Sequence, residues 1–131
     1  MSFIDTELAF EIRLKSITNI PSIAWPNVKF EPIIGTPFIV PTLSKTTTEL
    51  YTLNGPNQYK GFYQIDIYTP LNKGVKQMYD IADSIKTAFE ANRTLTSNGQ
   101  SVLVQEIDPP EYVREDAWFR GIISIHYISY N

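Results

Sequence analysis

The residues best suited to chemistry in this 131-residue chain are a single histidine, two groups of carboxylates and six glycines. His126 would have to serve in any Ser-His-Asp arrangement, because it is the one imidazole present. It falls mid-strand between Ile125 and Tyr127, and no Gly-x-Ser-x-Gly elbow occurs to present a nucleophile to it. Asp80 and Asp83 lack a third metal ligand nearby in sequence and read as a solvated helix face. Asp108, Glu111, Glu115 and Asp116 are expected in a proline-flanked connecting loop without the spacing of an EF-hand. None of the glycines forms a P-loop or a Gly-x-Gly-x-x-Gly turn. Cysteine is absent, which removes disulfides, thiolate metal sites and thiol nucleophiles together. The expectation is a protein with no catalysis, no cofactor and no metal.

Bulk properties narrow the remaining classes. With 43% hydrophobic and 19% charged residues, the chain has the composition of a globular protein, and its length suits one domain over residues 1–131. Fourteen acidic and eleven basic side chains give a net charge of −3, with the basic residues scattered. Sequence-specific nucleic-acid binding, which needs a basic stripe, is disfavoured, although a mildly acidic surface can line a channel through which DNA slides. The acidic start Met1-Ser2-Phe3-Ile4-Asp5 is unlike a signal peptide, and no apolar run approaches the roughly 20 residues needed to span a bilayer. The sequon at Asn92-Arg93-Thr94 is a chance match on that reading, and a soluble protein made inside the cell is expected.

The elements that would position these residues follow from periodicity. Residues 2–17 read as a helix in which Phe3, Phe10, Leu14 and Ile17 share a stripe, with Ile4, Leu8 and Ile12 beside it. Ser2 and Asp5 have capping spacing, and Glu11 with Lys15 makes an i,i+4 pair. Residues 75–91 read as a second helix, with Val75, Met78, Ala82, Ile85 and Phe89 recurring at intervals of three and four. Between them, residues 19–41 hold five of the nine prolines and predict a stiff, irregular arm. Such an arm either packs across its own subunit through Trp25, Phe30 and Phe38 or docks on a partner at low entropic cost.

Strands account for most of the rest. Residues 46–53 and 59–69 predict a hairpin whose tip spans residues 54–60. In its second strand Gly61, Tyr63, Ile65 and Ile67 share one face, and Phe62, Gln64, Asp66 and Tyr68 the other. Asn98-Gly99 marks a tight hairpin between residues 93–97 and 100–107, and Pro109-Pro110 breaks the ladder. Residues 118–130 alternate Phe119, Gly121, Ile123, Ile125 and Tyr127 against Trp118, Arg120, Ile122, Ser124, His126, Ile128 and Tyr130. The first set reads as core; the second mixes charge with large apolar groups, as on a sheet face covered by a partner or by the arm. The fold class expected is α+β, a mainly antiparallel sheet with two helices on one face, a proline-rich arm and a hairpin extension.

The order of these pieces carries a resemblance. The arm Trp25-Pro26-Asn27, Phe30, Pro32, Gly35-Thr36-Pro37-Phe38, followed by the strand Gly61-Phe62-Tyr63-Gln64-Ile65-Asp66-Ile67-Tyr68-Thr69-Pro70 and then Lys73-Gly74, resembles phage and prophage tail terminator proteins. That resemblance implies a structural virion protein that forms a homo-oligomeric ring, usually hexameric. The ring caps the head-proximal end of the tail tube, stops its polymerisation and presents a joining surface to a head-completion or neck protein. It implies assembly in the host cytoplasm, passage of DNA through the ring and no role for a membrane. It brings no residue-level motif with it and leaves open whether the tail is contractile. From the residues themselves, the candidate contacts with a neighbouring subunit or the tube are Trp25, Phe30 and Phe38 in the arm, Asn57, Gln58, Tyr59 and Lys60 at the hairpin end, and Trp118, Arg120 and Ile122 on the last strand. The alternatives are another head-tail neck or connector subunit and, from a different class, a small monomeric ligand-binding or enzymatic domain.

Overall fold

In a computed structural model, the chain is described over residues 3–50, 57–91, 93–115 and 117–130. The elements run α1 (Phe3–Lys15), β1 (Ser22–Ile23), β2 (Phe38–Leu50), β3 (Asn57–Pro70), α2 (Lys76–Ala91), β4 (Thr94–Ser97), β5 (Gln100–Ile107), β6 (Glu111–Arg114) and β7 (Trp118–Tyr130). The strands form one sheet in the order β1-β2-β3-β7-β5-β4, with β6 also paired to β7. Every pairing is antiparallel except the two-residue contact of β1 with β2. The expected α+β class is therefore the observed one.

Both helices lie on one face of the sheet because their apolar stripes meet the alternate positions of the strands. Met78, Ala82, Ile85 and Phe89 of α2 are buried with Tyr63, Ile65 and Ile67 of β3 and with Ile123, Ile125 and Tyr127 of β7. From α1 come Ala9, Phe10 and Leu14. Phe10 is the hub: its ring stacks on Tyr63 at 4.5 Å and meets Tyr127 edge-on at 5.2 Å. Gly121 is needed on β7 because Met78 of α2 crosses it so closely that a Cβ there would overlap the methionine side chain. Arg13 ties the helices together by donating to the Ala88 carbonyl at 3.0 Å from Nε.

The α1 stripe is narrower than its periodicity suggests. Ile4 and Ile12, expected to widen the buried face, stand in solvent at 62% and 57% exposure. Ile12 lies about half a turn and Ile4 about a third of a turn around the helix from the fully buried Phe10, so both point away from the sheet that Phe10 faces. The capping position Ser2 lies outside the described residues, as do residues 51–56 at the hairpin tip, Asn92 and Asp116.

Two strand boundaries differ from expectation. β2 begins at Phe38 and runs straight through Pro41, which the sequence places in the irregular arm. The physical reason is orientation. Ile39 turns its carbonyl outward to accept from Ala24, at 2.8 Å, so Pro41, two residues on, turns its missing N–H to the same outer edge. No bond to β3 is lost. Past Pro109-Pro110 the chain returns to β7 as β6, so Glu111 belongs to a strand and the acidic cluster is not a single loop. The Asn98-Gly99 turn is as expected, with φ of 50° and 80°, and the Asn98 amide donates to Asp5 of α1 at 2.8 Å.

Burial of the core phenols gives a pH dependence. Desolvation, reinforced by Glu11 and Glu7, pushes the Tyr63 hydroxyl far up. Burial with help from Glu7 pushes Tyr127 from 10.0 up to about 12. The folded chain thus keeps these groups neutral where the unfolded chain ionises them. Their contribution is complete below pH 10 and is lost as pH rises from there towards 12. Tyr127→Phe should leave stability at neutral pH nearly unchanged, because the buried hydroxyl has no hydrogen-bond partner among the described residues. It should flatten the alkaline fall of the urea midpoint; an unchanged slope above pH 10 would exclude Tyr127 as a source.

Candidate assembly surface

The helix-free face of the sheet holds most of the side chains that the sequence singles out. Strand register sets Phe38, Tyr68, Arg120 and Val113 in one row, Val40, Asp66, Ile122 and Glu111 in the next, and Ser44, Phe62, His126 and Glu106 further along. Strand alternation, which gives the core its aliphatic face, makes this second face inevitable.

At one end the rings form a cluster. Phe38 stacks on Tyr68 at 4.7 Å with an interplanar angle of 7°, and Trp118 meets Phe38 edge-on at 5.1 Å. Phe30 of the arm closes over Phe38 at 5.1 Å. Phe38 is buried by these contacts, while Phe30 and Trp118 are half-buried. Trp25 packs against the core from the arm's other end, with the Lys15 ammonium 5.3 Å above its ring. The arm is thus moored to its own subunit at both ends. The stretch between carries the surface that solvent sees.

Charges beside the ring cluster are held in a fixed network. Arg120 donates to Asp66 at 2.9 Å and to Glu115 at 3.0 Å, and its guanidinium lies 6.0 Å from the Tyr68 ring. Gln64 donates to the other Asp66 oxygen at 2.9 Å. Burial works against the Arg120 charge, but the Glu115 hydrogen bond and the Asp66 charge outweigh it, so the pKa is raised. Burial, partly offset by Arg120, also raises the Tyr68 phenol. One positive and two negative groups leave the network with a single net negative charge, and the hydrogen bonds among them orient the side chains, which suits a surface that must match a partner's charges.

Further along, His126 Nε2 lies 2.8 Å from Asp108 Oδ2. Asp108 is itself held by its N–H donating to the Ser124 carbonyl at 2.9 Å. Ser124 stands two positions from His126 on the same strand, about 7 Å at the usual rise, so the imidazole-carboxylate pair has no serine within reach there. The pair fastens the segment after β5 to β7. Among the described residues no cluster of three or more His, Cys, Asp or Glu could hold a metal, and no helix is long and apolar enough to cross a membrane.

The hairpin end is only partly described. Asn57 and Gln58 open β3 opposite Leu50 and Glu49, and Tyr59 and Lys60 follow opposite Ser129 and Ile128 of β7. Lys60 alternates onto the face of Phe62, and Tyr59 onto the helix side. The structure does not bring this end together with the ring cluster, which lies at the opposite end of the same strands.

Sequence reasoning missed one feature of the arm. Ile33-Ile34-Gly35-Thr36 is a tight turn in which the Thr36 N–H donates to the Ile33 carbonyl at 3.0 Å. Gly35 takes φ of 90°, as the third position of a type II turn requires. Ile33 and Ile34 ride on it at 69% and 87% exposure, with Val28 nearby in the arm at 60%. The signal was the glycine directly after two isoleucines in a proline-rich stretch.

Comparison with known proteins gives the geometry a context. A family model described as phage tail terminator protein matches residues 5–127. A search of curated proteins finds no match. Fifteen chains of solved structures match. One, of a protein that carries no functional name, is 27% identical, with a TM-score of 0.78 over 98% of this chain and 96% of its own.

Proposed function

Because the chain belongs to the phage tail terminator family and is thereby a structural component of a phage tail, we propose that it forms a ring, six subunits being the expected number, that caps the head-proximal end of the tail tube. The ring stops further tube polymerisation and offers its outer surface to a head-completion or neck protein. The observation that carries this reading is the family match, which spans α2 and six of the seven strands in full, α1 from its third residue and the last strand to within three residues of its end. The geometry supports it through a rigid aromatic and ionic sheet face and through exposed aliphatic groups on two separate parts of the surface. A ring built by rotation needs two different patches that fit one another. The candidate contacts Trp118, Arg120 and Ile122 lie on the rigid face, and the tube or the neck protein is its partner. DNA passes through the lumen without sequence-specific contact, consistent with a net charge of −3. Assembly takes place in the host cytoplasm, and the protein acts without catalysis or cofactor.

Size exclusion with light scattering tests the ring. The expected mass is six times the 15.0 kDa chain, either alone or once tube ends are supplied. A monomer under both conditions would reject the ring and favour a small monomeric domain.

A further inference from the structure

We propose that Asn98 is a site of spontaneous deamidation, that its hydrogen bond to Asp5 holds the reaction back, and that the product, once formed, unlatches the start of α1 from the β4–β5 turn. Water is the only co-reactant. The main-chain nitrogen of Gly99 attacks the side-chain carbonyl carbon of Asn98 and closes a five-membered imide. The bond from that carbon to the amide nitrogen breaks, and ammonia leaves with the proton from the Gly99 nitrogen. Water then adds to one of the two imide carbonyls and opens the ring, leaving aspartate or isoaspartate at position 98.

The turn supplies what the attack requires. Asn98 and Gly99 are both exposed, with φ of 50° and 80°. Gly99 has no side chain to crowd its nitrogen, and no atom beyond its chain neighbours lies within 4 Å of where a Cβ would stand. The strand ladder closes on the flanking pair, Ser97 with Gln100, and among the described residues the Gly99 N–H donates to no backbone carbonyl. The attacking nitrogen is therefore open to solvent.

What the turn withholds is a free amide. Asn98 Nδ2 donates to Asp5 Oδ1 at 2.8 Å, across 93 residues of sequence. Attack requires the side chain to rotate until its carbonyl carbon meets the Gly99 nitrogen, and a hydrogen bond to a carboxylate opposes that rotation. Asp5 lies in the first turn of α1, so the same bond anchors the start of the helix. Conversion to aspartate removes the donor and sets a second carboxylate against Asp5, so attraction becomes repulsion. Isoaspartate in addition lengthens the main chain by one carbon inside a two-residue turn, whose length fixes the register of the hairpin.

Peptide mapping of the full-length chain after incubation at mildly alkaline pH measures the reaction, with Asn54-Gly55 as an internal reference. The wild-type chain should accumulate aspartate and isoaspartate at position 98. Asp5→Ala should speed this about 5-fold, the factor that a hydrogen bond of ordinary net strength imposes, and leave the Asn54 rate unchanged. Asp5→Asn removes the same charge from the helix start but keeps an acceptor oxygen, so it should restore most of the protection. Asn98→Asp makes one product directly and should speed amide hydrogen exchange over residues 7–9 about 5-fold by the same loss. No product at position 98 in any chain overturns the site. Equal rates in wild type and Asp5→Ala, or in Asp5→Asn and Asp5→Ala, overturn the role of the bond, and unchanged exchange in Asn98→Asp overturns the latch.

Discussion

Phe10→Ala should lower the free energy of unfolding by about 3 to 5 kcal/mol, against a total for domains of about 5 to 15 kcal/mol, and leave the protein barely folded. The size of the effect follows from position. Phe10 is fully buried, stacked on Tyr63, edge-on to Tyr127 and 6.0 Å from Phe89, so it joins both helices to the two central strands. Removing the ring opens a cavity bounded by three other rings that cannot all move to fill it. Ile12→Ala, one half-turn along the same helix on its exposed side, should change stability by less than about 0.5 kcal/mol. Urea unfolding of the two variants measures the contrast. Similar losses for both would mean that α1 presents a different face to the sheet.

Arg120→Met should cost about 3 kcal/mol, although the residue makes no contact with the aliphatic core. The loss arises from what is left behind. Asp66 is 8% exposed on the middle of the sheet face, and without Arg120 its carboxylate keeps only the Gln64 amide. Glu115 loses its partner at the same time. Replacing both partners, as Asp66→Leu with Arg120→Met, should recover much of the stability, since an apolar pair of similar volume needs no charge compensation. A double-mutant cycle separates the two effects. If the double variant is no better than the sum of the single ones, the network is not a unit and the rigid face would need another source of order.

The helices and the central strands were legible because they obey periodicities that one sequence displays. Met78, Ala82, Ile85 and Phe89 at helical spacing, and Tyr63, Ile65 and Ile67 at alternate positions, can be buried in only one way. Asn98-Gly99 was legible because few other pairs take positive φ at two successive residues. Pro41 was misleading, since a proline is excluded from a strand only if its missing N–H faces a neighbour, and that depends on which edge of β2 is outermost. Ile4 and Ile12 are exposed because they lie around α1 on the side away from Phe10 and Leu14, which face the sheet.

The candidate surface was legible in part. The alternation over β7 separated Trp118, Arg120 and Ile122 from the core set correctly, and the prolines flagged the arm. What sequence left hidden was the pairing: that Phe30 closes on Phe38, Tyr68 and Trp118, and that Asp66 and Arg120 meet from strands 54 residues apart. Both are register effects between β2, β3 and β7. They cannot be read from any one segment.

The central claim is that this protein ends a tail tube, and electron microscopy of tube protein polymerising with and without it tests that claim most directly. The account predicts a ring seated on one end of each tube, tube growth arrested at that end, and a shorter, narrower length distribution as the protein is added. Tubes that keep growing with bare ends at saturating protein would contradict it.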